Sequence, residues 1–418
     1  MMHSRILITL ICFNFTITAS GQDWAQWRGP TGDNHAATGA TAPTTWSDTE
    51  GLAWTTPIPG RGHSSPIVFG SRIYLTTADN KSQTQSLLIL DRQSGKLLTE
   101  KVVHRGKFAK KIYPTNTHAS SSVACDGKHI FTLFLNDDAA WLTSFDLAGE
   151  QLWQRRLAAF APKRYEFGYG SSPVIYGDSV IVASEYDGPE SCLVALDTST
   201  GKEKWRTPRP QGITYSTPAI ARLKSGDQLL LSGSNLVAGY DPRDGKELWQ
   251  TPGTTQLTCA TMIWDEKLGL AFASGGYPKQ ETVAVELAGN HDVVWKNRVK
   301  CYESSMLMFK GYIYAISDNS IAYCWRGSDG KEMWKKRLKG PFSSSPLLVG
   351  DRIYMTNEAG TTFVLRTTPD KFDLLAKNQL GTGCYATPAP LDGRLYHRFF
   401  RGDGAGRKEY LSAIGTTQ

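Results

Sequence analysis

The sequence predicts an all-β protein: an eight-bladed β-propeller of four-stranded antiparallel blades, its ring closed by an N-terminal strand. Three observations carry this. A phrase of paired small or hydroxyl residues, apolar strand, Gly turn and apolar strand recurs eight times. Its second hydroxyl falls at Ser65, Ser122, Ser172, Thr217, Thr261, Ser305, Ser345 and Thr387, at spacings of 57, 50, 45, 44, 44, 40 and 42 residues. A period of this size with strand-like content throughout is the mark of propeller blades. Almost no stretch has helical periodicity; apolar residues alternate, or run in short blocks bounded by Gly, Asp and Ser.

In chain order, residues 1–21 read as a secretory signal peptide. Met1–Arg5 carries one positive charge, Ile6–Ile17 is apolar, and Ala19-Ser20-Gly21 supplies small residues for cleavage. The apolar run is too short for a membrane span. Residues 22–50 form an N-terminal extension, and residues 51–418 the propeller. GLAWTTPI, from Gly51, has the form of an orphan fourth strand and is expected to pair beside the strand around Tyr410–Ile414, leaving no open sheet edge.

The first halves of the blades begin with SSPIVFGSRIY at Ser64, SSVACDGKHIF at Ser121, SSPVIYGDSVI at Ser171 and STPAIARLKSGDQLLL at Ser216. They continue with ATMIWDEKLGLAFA at Ala260, SSMLMFKGYIY at Ser304, SSPLLVGDRIY at Ser344 and ATPAPLDGRLY at Ala386. The second halves share another pattern, as in ALDTSTGKEKW, GYDPRDGKELW and CWRGSDGKEMW, where Gly supplies the positive φ of a tight turn. Trp follows at 153, 205, 249, 295 and 334, with Trp54 on the closing strand. These indoles read as wedges between blades. Blade one has Thr99 in their place, and blade seven, with LRTTPDKFDLL, lacks the pattern.

The two half-motifs resemble the repeats of the PQQ-like (pyrroloquinoline quinone-like) β-propeller family, over about residues 23–415. That family includes quinoprotein dehydrogenases and the propeller lipoprotein of the outer-membrane protein assembly machinery. The opening DWAQWRGPTGD, from Asp23, is similar to the start of many exported propellers of this kind. The dehydrogenase branch implies PQQ with Ca²⁺, adjacent cysteines beneath the quinone and a catalytic Asp. This chain has no adjacent cysteines: Cys125, Cys192, Cys259, Cys301, Cys324 and Cys384 are scattered, without metal-ligand spacing. A bridge between Cys259 and Cys301 is left open. The resemblance favours the non-catalytic assembly branch: a binding or scaffold module of the cell envelope, with no cofactor.

Motifs for catalysis point the same way. HExxH, GxSxG and the phosphate-binding glycine loop are absent from the sequence. Asp137-Asp138 and Glu185…Asp187…Glu190 lie in hairpin loops and read as solvated charge, so neither a catalytic nor a metal site is expected. A glycan hydrolase would need a carboxylate pair the sequence does not present.

Candidate binding residues come from loop geometry. Connections from the outer strand of one blade to the inner strand of the next share one face and ring the channel mouth. There the sequence places His63, His118, Tyr169, Tyr215, Cys259, Tyr302 with Glu303, Phe342 and Tyr385, mostly aromatic and polar side chains suited to ligand contact. The same connections hold 20 Lys or Arg against 3 Asp or Glu, leaving 26 and 36 elsewhere. Lys163, Arg164, Lys335 and Arg337 mark this basic face, which would attract an anionic partner. The expected partners are a protein, an anionic glycan, a lipid head group or a small molecule. Nucleic acid and a membrane span are not expected. The chain reads as a monomer, periplasmic or extracellular after cleavage of the leader.

Overall fold

A computed structural model describes residues 23–415, so the expected leader, residues 1–21, lies outside the described residues. Eight four-stranded antiparallel sheets follow one another around an axis. Seven are meanders of consecutive strands, from Ile67–Phe69 through Leu97–Arg105 in blade 1 to Leu347–Val349 through Leu374–Gln379 in blade 7. Blade 8 takes its three inner strands, Ala389–Leu391, Arg394–Arg401 and Lys408–Ile414, from the end of the chain. Its outermost strand is Leu52–Ile58, antiparallel to Lys408–Ile414 with Leu52 opposite Ile414 and Ile58 opposite Glu409. The ring therefore closes between the two ends of the chain, with the expected partner strand. Among the described residues no helix is long and apolar enough to cross a membrane.

The second hydroxyl of each repeat explains the recurring pair. Ser65 N–H donates to Ser122 Oγ at 2.9 Å, Ser122 N–H to Ser172 Oγ at 3.0 Å, and Ser172 N–H to Thr217 Oγ1 at 2.9 Å. The chain of bonds resumes from Thr261 to Ser305, Ser345, Thr387 and back to Ser65, at 2.9–3.0 Å. Seven of the eight blade junctions thus carry the same buried bond. This belt satisfies backbone donors that the narrow channel would otherwise orphan. At the remaining junction, the Thr261 hydroxyl accepts the indole N–H of Trp27 at 3.1 Å.

The outer-strand tryptophans act as wedges, and the structure shows why Gly stands where it does. A Cβ on Gly201 would lie 2.6 Å from the Trp153 ring, and one on Gly245 2.4 Å from that of Trp205. Their φ of +66° and +73° demand glycine independently. Trp54 makes the same contact with Gly95 of blade 1 and donates to Arg92 O at 3.2 Å, so the closing strand docks as every other outer strand does. In blade 5 the longer turn presents His291 instead, stacked on Trp249 at 4.9 Å.

The N-terminal extension crosses beneath the channel. Trp24 bridges Val68 of blade 1, and Ala25 O accepts from Cys125 N–H of blade 2. Gln26 accepts from Ile175 N–H of blade 3, Arg28 donates to Met306 O of blade 6, and Asn34 donates to Pro346 O of blade 7. Trp24, Arg28 and Asn34 are all buried. Burial lowers the Arg28 guanidinium to about 10, partly offset by Asp33.

All six described cysteines are free thiols, so Cys259 and Cys301 form no bridge. Cys384 lies in the core of blade 8, 3.1 Å from His397 Nε2. Burial lowers His397 from 6.5 to about 4. Because the folded value is depressed, the unfolded chain binds more protons between pH 4 and 6.5. The stability contribution is therefore full above about pH 6.5 and lost as pH falls towards 4, up to about 3 kcal/mol in all. Denaturant unfolding at pH 7 and pH 4.5 should show this decline, and His397→Gln should make it shallower.

Candidate functional site

The residues immediately before each hydroxyl pair form a second ring above the belt: His63, Ser120, Gly170, Tyr215, Cys259, Glu303, Ser343 and Tyr385. All eight line one cavity of about 620 Å³ on the channel axis. Six hydroxyls of the belt lie deeper in it, and Trp27 forms its floor. The cavity is therefore blind, closed below by the extension and open on the face of the outer-to-inner connections. The repeat supplies the same backbone position eight times, and the chemistry differs from blade to blade.

Longer loops add to the wall. Tyr113, Asn116, Tyr165 and Phe167 come from the connections after blades 1 and 2, Tyr277 from blade 5, and Lys300, Tyr302 and Asp318 from blades 5 and 6. Their rings form one cluster. Tyr113 and Phe167 centroids are 5.4 Å apart, Tyr165 and Tyr277 5.4 Å, and Phe167 and Tyr215 6.2 Å. The Tyr215 hydroxyl donates to Tyr165 O at 2.6 Å, which fixes the loop. On the opposite wall His63 stacks on Tyr385 at 4.2 Å. Burial, with Arg407 and Arg398 nearby, holds its imidazole well below its usual value and hence neutral at pH 7.

Three carboxylates give this wall its charge. Lys300 Nζ lies 3.2 Å from Asp318 Oδ2, while Asp318 Oδ1 accepts from Tyr302 N–H at 2.8 Å. Glu303 opens onto the cavity and is exposed there. Desolvation raises its carboxyl, opposed by Ser343, with Glu358 and Asp318 adding to the rise. Ser343 donates to Glu358 at 2.8 Å, and burial raises Glu358 too.

Of the residues expected from sequence, His63, Tyr215, Cys259, Tyr302, Glu303 and Tyr385 meet at this cavity. Three others do not. Tyr169 is buried, its hydroxyl bonded to Ala183 O at 2.7 Å, and Phe342 packs on Phe363 inside blade 7. His118 packs on Phe108 at 4.4 Å, away from the axis. For Tyr169 and Phe342 the reason is register: they lie two before the pair, the ring is made by the residue one before, and successive residues of an extended segment point to opposite sides. His118, three before, is instead held by its contact with Phe108.

The basic residues are also placed differently from expectation. Lys335 and Arg337 belong to the outermost strand Glu332–Arg337, on the rim of the disc, with Lys335 paired to Glu332 at 3.2 Å. Lys163 and Arg164 are exposed on the blade 2–3 connection and do not line the cavity. Much of the basic set is paired: Lys107 with Asp137, Lys111 with Glu166 and Arg156 with Glu190. Tyr113, Tyr165, Phe167 and Tyr277 lie outside the expected ring, although the lengths of the connections spanning 100–121 and 154–170 are a usable signal for the first three.

Comparison with known proteins places the chain. A PQQ repeat-family model described as outer membrane protein assembly factor BamB matches residues 83–326 and 279–368. The chain belongs to this family. No curated protein matches the sequence. Among solved structures it is similar to BamB from Moraxella catarrhalis, at 13% identity and a TM-score of 0.57, covering 86% of this chain and 97% of that one. It is also similar to a europium-containing methanol dehydrogenase, at 12% identity and a TM-score of 0.64, covering 94% of this chain and 98% of that one. A third is the quinohemoprotein alcohol dehydrogenase from Comamonas testosteroni, at 12% identity and a TM-score of 0.64, covering 95% and 81%. At these identities the likeness is one of fold, and the fold hosts both binding proteins and oxidoreductases.

The dehydrogenase neighbours raise the question of PQQ and Ca²⁺. PQQ is a flat tricarboxylate and needs clustered positive charge; Ca²⁺ needs six or more oxygen donors. The cavity's one lining ammonium, Lys300, is already paired with Asp318, and the open group beside it is Glu303. Among the described residues no group of three or more His, Cys, Asp or Glu is placed to hold a metal. These residues do not fit the pair.

Proposed function

We propose that this chain is an exported, non-catalytic β-propeller that acts as a binding or scaffold module in the cell envelope, using its blind central cavity to receive a ligand or a projecting part of a partner. The observation that carries the reading is the eight-residue ring. One side chain from every blade junction converges on a cavity whose deeper hydroxyls are mostly spent in the belt. That arrangement presents a varied surface for contact above a belt of hydroxyls held as acceptors. Membership of the assembly-factor family supports a protein partner. The charged leader and the family together support export.

The sequence-level expectation of an anionic ligand finds little support at the cavity itself, where the unpaired charge is a carboxylate. An acidic partner protein remains compatible with the exposed Lys163 and Arg164 beside the mouth.

The competing reading is a quinone-dependent oxidoreductase, favoured by the extent of the dehydrogenase overlap. Purified protein supplied with PQQ and Ca²⁺ should reduce no artificial dye with alcohols or sugars above the rate of the free quinone. Saturable turnover would overturn the binding reading.

A further inference from the structure

We propose that the central cavity is selective for a small organic cation, an ammonium compound held by the Glu303 carboxylate against the surrounding aromatic faces. This rests on the reading of the cavity as a binding site and goes further by naming the ligand class.

The charge inventory is the first argument. Lys300 and Asp318 neutralise one another at 3.2 Å. His63 is neutral at pH 7. Glu303 is then the charged lining group that makes no ion pair among the described residues. Glu358, held across Ser343, adds negative potential from behind. An anion entering here would meet this carboxylate as like charge, and a neutral ligand would gain nothing from it. An ammonium group pairs with it.

The second argument is the wall. Tyr302 adjoins Glu303, and Tyr165, Tyr215, Tyr277 and Tyr385 line the same cavity. Aromatic faces attract ammonium groups through their quadrupole, most strongly where water is excluded. The protein already uses one of these faces so: Lys300 Nζ sits 5.7 Å from the Tyr302 ring centre.

Three probes of nearly one shape separate charge from fit: choline, the neutral 3,3-dimethylbutan-1-ol and the anion 3,3-dimethylbutanoate. Calorimetric titration should find choline at least about tenfold tighter than the alcohol, with the anion weakest. Glu303→Gln, nearly isosteric, should reduce choline binding about tenfold and leave the alcohol unchanged. Tyr277→Ala, at a mouth residue 47% exposed, should weaken choline a few-fold without unfolding the ring. A thermal melt of each variant shows that it is folded. Equal binding of alcohol and choline, or choline binding indifferent to Glu303→Gln, overturns the cation assignment and leaves the cavity a binding site. Failure of all three probes to bind also overturns the cation assignment, while the scaffold reading stands or falls on the separate turnover test.

Discussion

Removal of residues 22–60 is expected to abolish the stable folded monomer. The deletion takes away the outermost strand of blade 8 and exposes the paired edge of Lys408–Ile414 over its whole length. It also removes Trp24 and Trp46, 3% and 7% exposed, together with Ile58 and the docking of Trp54 on Gly95. Each large aromatic buries about 150–250 Å², worth about 4–6 kcal/mol at about 25 cal/mol per Å². The combined loss is of the order of the 5–15 kcal/mol that stabilises a whole domain. The freed edge would also pair with other chains. Size-exclusion chromatography and denaturant unfolding should show aggregate or an unfolded chain. A truncated protein that melts within a few degrees of the intact one would refute closure by this strand.

The second large effect is expected at the charged latch between blades 8 and 1. Arg398, 2% exposed, donates to Glu409 at 3.1 Å within blade 8, and to Ser64 Oγ at 2.9 Å and Thr76 O at 2.8 Å in blade 1. Glu409 also accepts from Arg407 Nε at 2.8 Å, so one buried carboxylate serves two guanidinium groups. Glu409→Ala should cost about 3–5 kcal/mol, because it strands the Arg398 charge in the interior. Burial already lowers Arg398 below its usual value even with its partner present. The double variant Arg398→Met, Glu409→Leu should lose less than the single one, since only the more accessible Arg407 is then left without its carboxylate. Equal or additive losses by urea unfolding would show that the latch works through packing rather than charge. The buried pair of Glu185 and Arg209, 2.6 Å apart, offers a parallel case within blades 3 and 4.

The ring was legible in the sequence because its parts repeat. Paired hydroxyls, turn glycines and outer-strand tryptophans each answer to a contact made at junction after junction, so one phrase read eight times yields the architecture. GLAWTTPI could be recognised as displaced because Trp54 matched a position its own surroundings did not need. The site was legible only in part, because it depends on what the repeat leaves free. Tyr302, one residue before Glu303, reaches the cavity, whereas Tyr169, at the corresponding position of blade 3, is turned into the core against Phe160, which in turn packs on Tyr186. A local sequence does not reveal that difference. Trp27 is further removed still: its role rests on a contact with Thr261 across 234 residues. Lys335 and Arg337 were misplaced for a related reason. Their segment reads as a connection, but its first three residues, 335–337, continue the outer strand on the rim.

Cys259 provides a direct test of the cavity and its charge. It is the one partly exposed thiol of the six described, and it lines the cavity near Glu303. The decisive measurement is its rate of labelling by methanethiosulfonates of three charges, followed by mass spectrometry of the peptides. A blind, open-mouthed cavity with an unpaired carboxylate predicts that Cys259 is modified before the five buried cysteines, fastest by the cationic ethylammonium reagent and slowest by the anionic ethylsulfonate. Glu303→Gln should level the two rates. A silent Cys259, or one labelled fastest by the anion, would contradict the account.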